Sequence, residues 1–280
     1  MAPSFGRSIS FPLSPARASR PRAAAYHVRS VSLPCRSHPL LAHLCTHIAA
    51  VRSWVAEEPI SASTGLAHLD ALHAALAELL LLPEAISALQ YGSTTSACLL
   101  DGFLILADAH GAFQETLVEI NAHASDAQAA LRRRDDNRLA SAVRSLRHAE
   151  KDLARLAASV RTAIKFPTPS ASTSAAEVEV SGALAEAVAA AACASAAVFS
   201  AVEDVSASAT AALASKKTVT SSLMSLVKSG KAAASDEDRL EMLQAVEACV
   251  AEMESGSDKV FRSILRTRVA LLNIQTQTRC

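Results

Sequence analysis

One hexapeptide pattern is written twice near the amino terminus, and of all the patterns in this chain it is best suited to a defined chemistry. Arg7-Ser8-Ile9-Ser10-Phe11-Pro12 returns as Arg29-Ser30-Val31-Ser32-Leu33-Pro34. An arginine three residues ahead of a serine suits a basophilic kinase, and a proline two residues after a phosphoserine suits the phosphopeptide groove of a 14-3-3 dimer. Phosphate on Ser10 or Ser32 adds nearly two negative charges beside Arg7 or Arg29 and turns a basic segment into a ligand for an arginine-lined groove. The 22 positions from Ser10 to Ser32 reach roughly 70 Å when extended. A flexible segment of that length can feed both grooves of one dimer, so two weak contacts combine through effective concentration. The partner-binding candidates are therefore Arg7, Ser10 and Pro12 with Arg29, Ser32 and Pro34.

Other residue types capable of chemistry are present without the spacing that chemistry requires. Cys35, His38, His43, Cys45 and His47 lie close together, and His43 with His47 forms an i, i+4 pair, yet neither H-E-x-x-H nor C-x-x-C occurs. They read as ordinary residues of an amphipathic helix. A two-metal helical bundle needs Glu-x-x-His pairs on facing helices, and no histidine here has a glutamate three residues before it; Asp70-x-x-His73 is a solitary near miss. Asp101 and Asp108 stand two turns apart beside an apolar seam that contains His110, a placement better suited to fixing helix register than to acid–base catalysis. Arg132-Arg133-Arg134 is followed at once by Asp135 and Asp136, and aromatics for base stacking are missing, so it reads as a solvated corner. No Gly-rich phosphate loop and no G-x-S-x-G elbow occurs. No cofactor, metal or nucleic acid is expected, and no enzymatic activity.

The elements behind these residues are helical. Half of the 280 residues are hydrophobic, aromatics make up 4%, and only 8 glycines occur, a composition that favours helices and gives a sheet little support. The six cysteines are scattered, which suits reduced thiols inside a cell. The formal net charge of zero conceals an asymmetry: seven arginines and no acid precede Glu57. Residues 1–39 hold prolines at 3, 12, 15, 21, 34 and 39 with little apolar periodicity, and read as a disordered basic arm. An Arg- and Ser-rich start without acids also fits a transit peptide or attachment to anionic lipid.

Apolar spacing then predicts helices in succession. The first carries Leu44, Ile48, Val51 and Val55. The second carries Leu66 through Leu80 and is stopped by Pro83 before a short helix. A long third helix has its seam at Leu99, Phe103, Leu106, His110, Phe113, Leu117, Ile120, Ala124, Ala127 and Leu131. A fourth repeats Leu139, Leu146, Leu153 and Val160 every seven residues and lies antiparallel to it. Residues 167–176 read as a linker. Beyond it, eighteen of the forty residues from Ala175 to Ala214 are alanine, with Leu184, Val188, Val198, Val202 and Val205 along one side. The uncharged run from Ala187 to Val202 is sixteen residues long, short of the roughly 20 apolar residues of a membrane span. The last helix opens at Ser235 with Asp236, Glu237 and Asp238 over its positive end.

Several segments resemble one known family. Tyr26-His27-Val28-Arg29-Ser30-Val31-Ser32-Leu33-Pro34-Cys35-Arg36-Ser37-His38-Pro39 is similar to the start of a plant-specific, BYPASS-like family of unknown biochemical function. Leu66 to Pro83 resembles that family's second helix. Asp101-Gly102-Phe103-Leu104 with Asp108, and Ala129 to Arg134, resemble its central helix and corner. Phe261 to Ile274 resembles its closing segment. The resemblance implies a plant protein linked to root and shoot development, with no established enzyme activity and no catalytic residue to carry over. The upstream copy at Arg7 to Pro12 is not part of the resemblance.

The expected architecture is thus an all-α bundle of long antiparallel helices behind a disordered basic arm. Residues 40–166 form a first half, 167–176 a linker, and 177–280 the completing helices. The expected function is that of a non-enzymatic regulatory or adaptor protein of the cytoplasm, phosphorylated on its arm and read by a protein partner. The alternative is a chloroplast or membrane-surface structural protein whose arm serves import or lipid attachment.

Overall fold

The computed structural model describes residues 38–57, 60–89, 94–163, 175–214 and 235–277. Seven helices and no strand are found among the described residues: α1 Pro39–Val55, α2 Ala62–Leu79, α3 Pro83–Ala88, α4 Thr94–Arg133, α5 Asp136–Ala163, α6 Ala175–Ala214 and α7 Asp236–Gln277. The expected all-α bundle is what the chain forms. The arm and the linker, with Arg7, Ser10, Pro12, Arg29, Ser32 and Pro34, fall outside the described residues apart from the ends at His38, Pro39, Ala175 and Ala176.

Local signals account for the helix ends. Pro39 stands in the first turn of α1, where its missing N–H costs nothing, and His38 Nδ1 accepts a hydrogen bond from the Leu40 backbone N–H at 3.2 Å. Ser61 caps α2. At Ser235 a reciprocal capping box forms: Asp238 N–H donates to Ser235 Oγ at 3.1 Å, and Ser235 N–H donates to Asp238 Oδ2 at 2.8 Å.

The corner between α4 and α5 is built by Arg134 and Asp135 alone. Arg134 adopts φ 55, Asp135 N–H reaches back to Ala130 O, and Arg134 N–H to Leu131 O, closing a Schellman turn. Asp135 also caps the next helix by accepting from Arg138 N–H at 3.0 Å. A non-glycine side chain in the left-handed region costs roughly 1–2 kcal/mol, so Arg134→Gly is expected to stabilise the protein by about 1 kcal/mol. Thermal unfolding of the purified variant checks this.

Packing is organised around α6, which contacts each of the other six helices. From Ala187 to Phe199 nearly every side chain is buried, with Cys193 exposed. The sequence pattern predicts one apolar side for this helix. The structure buries that side and extends the covered surface well beyond it, because alanine and serine let neighbours approach closely; Gly182, Glu186, Cys193 and Asp204 form the exposed strip on the opposite side. The seams of α4 and α7 are buried as their spacing predicts, from Leu99 to Ala127 and from Leu243 to Ile274. Helices before and after residues 164–174 share this core: α1 and α2 pack on α6, and α2 and α4 pack on α7. Both α4 and α6 are long and apolar enough to cross a bilayer, but 50% and 67% of their most apolar windows are buried inside the bundle.

Candidate functional site

The polar groups with the greatest chemical potential lie in the α2, α4 and α6 core. His110 belongs to the Leu106–His110–Phe113 seam and is fully buried against Phe199 of α6, with ring centroids 5.3 Å apart. Its Nε2 lies 2.9 Å from Ser195 Oγ. Ser195 donates its own proton to Ala191 O at 2.8 Å, so the hydroxyl oxygen accepts from His110 Nε2–H. That network assigns the neutral tautomer with a bare Nδ1, and Nδ1 has no hydrogen-bond partner. Burial, reinforced by neighbouring His73, lowers the His110 pKa to about 3. His73 of α2 is equally enclosed, leaves both ring nitrogens without partners, and is lowered to about 4 by burial.

A serine nucleophile needs the opposite polarity, with its hydroxyl donating to a basic imidazole that a third group orients. Ser195 gives its proton to a backbone carbonyl, and His110 is held in its neutral, weakly basic form. The pair is a hydrogen bond between α4 and α6. A second polar node joins α5 to α6: Glu150 Oε1 accepts from Ser206 Oγ and Thr210 Oγ1, both at 3.0 Å, with all three residues buried. Nearby Glu203 is raised by partial burial and by the charges of Asp204 and Glu150.

The remaining candidates are dispersed. Asp101 and Asp108 are exposed on the outer face of α4, opposite the buried His110, so these three residues share no cavity. His43 Nε2 and His47 Nε2 approach to 3.3 Å on α1. Burial and the charges of His43 and His68 lower the His47 pKa. Among the described residues no cluster of three or more His, Cys, Asp or Glu could hold a metal. Asp70 and His73, two residues of the near-miss motif, diverge: the aspartate is half-buried and the imidazole fully so. Cys45, Cys98, Cys193 and Cys249 are all free thiols, and burial pushes the Cys249 pKa up.

At one end of the bundle the first turns of α5, the last residues of α6 and the start of α7 border a cleft of about 770 Å³. Arg144, Arg147 and Arg239 line it beside Asp136 and Asp236, so its charges are mixed. Arg239 reaches Asp236 at 3.6 Å. The Arg132–Arg134 run contributes to the neighbouring corner as expected, with Arg132 donating to Gln128 Oε1 on its own helix at 3.3 Å.

Sequence reasoning singled out His110 but passed over Glu150, Ser195 and the burial of His73. The signals were present: Glu150 follows Val143 by seven residues on the seam of α5, and His73 lies four after Leu69 and three before Leu76. Neither a curated protein nor a solved structure matched the chain. A family model described as Protein BPS1 does match, over residues 65–274, from Gly65 in α2 to Ile274 in α7. This agrees with the BYPASS-like resemblance of the α2, α4 and α7 segments, and the chain belongs to the BPS1 family.

Proposed function

We propose that this protein is a non-enzymatic regulatory adaptor of plant root and shoot development, acting in the cytoplasm. Its amino-terminal segment is phosphorylated by a basophilic kinase on Ser10 and Ser32 and is then held by a 14-3-3 dimer. Membership of the BPS1 family supports a plant regulatory protein in development. The observation that carries the finer reading is the doubled R-S-x-S-x-P pattern, with Arg7 and Arg29 placed for a kinase and Pro12 and Pro34 placed for the groove. The body suits a scaffold, since its buried histidine, serine, threonine and glutamate groups tie helices together.

Binding of the full chain to 14-3-3 protein tests the mechanism. The doubly phosphorylated chain is expected to bind at least about tenfold more tightly than the Ser10→Ala or Ser32→Ala chain, the difference being the effective-concentration gain of the second site. Equal capture of the phosphorylated chain and the Ser10→Ala/Ser32→Ala chain discards it. The seven arginines before Glu57 favour a second reading, in which this segment directs plastid import or attachment to anionic lipid. Amino-terminal sequencing of the protein from plant tissue separates the two, because a mature terminus beyond about residue 39 removes both serines.

A further inference from the structure

The outer face shared by α4 and α7 carries an apolar stripe between two rows of opposite charge. Three contacts fix the register of these antiparallel helices: Ser96 with Gln275 at 2.5 Å, Gly111 against Phe261, and Ser125 with Glu247 at 2.9 Å. Leu104 is one heptad from Gly111 and so lies on the same edge of α4, level with Arg268. Leu265 and Leu272 flank that level on α7, with Val269 beside them. These four side chains are 40%, 38%, 37% and 54% exposed, for Leu104, Leu265, Leu272 and Val269 respectively. Beyond the stripe on α4 stand exposed Asp101, Asp108 and Glu115; beyond it on α7 stand exposed Lys259, Arg262 and Arg266.

The geometry points to a second copy of this chain as the partner of this face, in a two-fold dimer whose axis runs parallel to α4 and α7. Such an axis keeps every residue at its own height along the helices and exchanges left for right across the stripe. The acidic row of one protomer then opposes the basic row of its partner. The register matches. Asp108 lies level with the turn from Arg262 to Arg266, and Glu115 lies nearly level with Lys259, so these two carboxylates meet cations across the interface while the apolar stripe meets itself; Asp101 lies level with Leu271, past the end of the basic row. An axis perpendicular to the helices would place acid on acid and base on base, and charge repulsion rejects it. Within one chain Arg262 also pairs with Asp258, i, i+4, at 2.9 Å, a solvent-exposed contact worth little that leaves the arginine available to the partner. This inference stands apart from the phosphopeptide reading, since it uses neither Ser10 nor Ser32.

Light scattering behind size exclusion, on the full chain at tens of micromolar and moderate salt, is expected to give twice the mass of one chain. Asp108→Lys is expected to weaken the dimer about a hundredfold or more, and so is the Arg262→Asp/Arg266→Asp variant, because each juxtaposes like charges. Both should run as monomers, with helical circular dichroism unchanged. The deciding result is their equimolar mixture: every opposed pair is then of opposite sign, so the mixture is expected to recover the doubled mass. A monomeric native chain, charge variants that remain dimeric, or a mixture that stays monomeric would each overturn the proposal.

Discussion

Lowering the pH from 7 to 5 is expected to remove about 4 kcal/mol of folding stability, with two buried imidazoles as the main cause. His73 and His110 have folded-state pKa values of about 4 and about 3, against 6.5 for the free side chain. Between those values the unfolded chain takes up protons that the folded chain refuses. Stability is therefore fully present above pH 6.5 and falls as the pH drops toward 4. Each such group contributes a slope of about 1.4 kcal/mol per pH unit, so two of them over one and a half units give roughly 4 kcal/mol, a large fraction of the 5–15 kcal/mol that holds a typical domain together. Asp238, lowered by its hydrogen bonds from Ser235, acts in the same direction at lower pH. Glu203, raised by partial burial, acts in the opposite direction.

Substitution separates these histidines from general acid effects. His73→Leu removes an imidazole with two unpartnered nitrogens and is expected to be neutral or stabilising by about 1–3 kcal/mol at pH 7, because a buried unsatisfied group is replaced by an apolar one of similar size. His110→Leu leaves the Ser195 hydroxyl still donating to Ala191 O. Urea unfolding at pH 7 and pH 5 should show each single variant losing about half of the native pH dependence and the double variant most of it. Parallel curves for native and double variant would assign the acid sensitivity to other groups.

The two imidazoles also show where sequence reading stops. Helix ends were legible because they depend on local chemistry: Pro39, Pro83 and the Ser235 capping box act within a turn of themselves. The α4 and α7 seams were legible because leucine, valine and isoleucine at three- and four-residue steps have one stable use in a long helix. For α6 the same rule finds the buried side but understates its width. Its larger residues Leu184, Val188, Val198 and Val202 do mark one side, yet Ala190, Ala191, Ala192, Ala196 and Ala197 are buried as well. Alanine carries too little hydrophobicity to announce how far the covering extends, and its small volume is what lets neighbours close over all but the strip of Gly182, Glu186, Cys193 and Asp204.

Polar partners across helices were beyond reach for a related reason. Glu150 lies 56 and 60 positions before Ser206 and Thr210, and His110 lies 85 before Ser195. A seam position occupied by a polar residue tells that a partner is needed without telling which helix supplies it. Asp101 and Asp108 illustrate the converse: two carboxylates near a buried histidine in sequence stand on the opposite face of the same helix. Placed there with Glu115, they supply the charge pattern of an association surface.

Gly65→Ala is expected to destabilise the protein by about 2 kcal/mol, although alanine is the better helix former. Gly65 lies in the first turn of α2 where α1 and α6 close over it. A Cβ built there overlaps the six-membered ring of Trp54 and comes within 2.7 Å of Val198 Cγ2. Neither neighbour has room to withdraw, since both are buried. Overpacking of this kind typically costs about 1–3 kcal/mol and at times more, which outweighs a helix-propensity gain of about 1 kcal/mol. Gly182 is the control. It is exposed in α6 and a Cβ there meets nothing within 4 Å, so Gly182→Ala should stabilise by about 0.5–1 kcal/mol. Trp54→Phe deletes the ring atoms that the new methyl would strike, so adding it to Gly65→Ala should cost less than the two single effects combined. Chemical unfolding of the four variants reads this coupling directly, and strictly additive effects would show that the indole does not confine position 65.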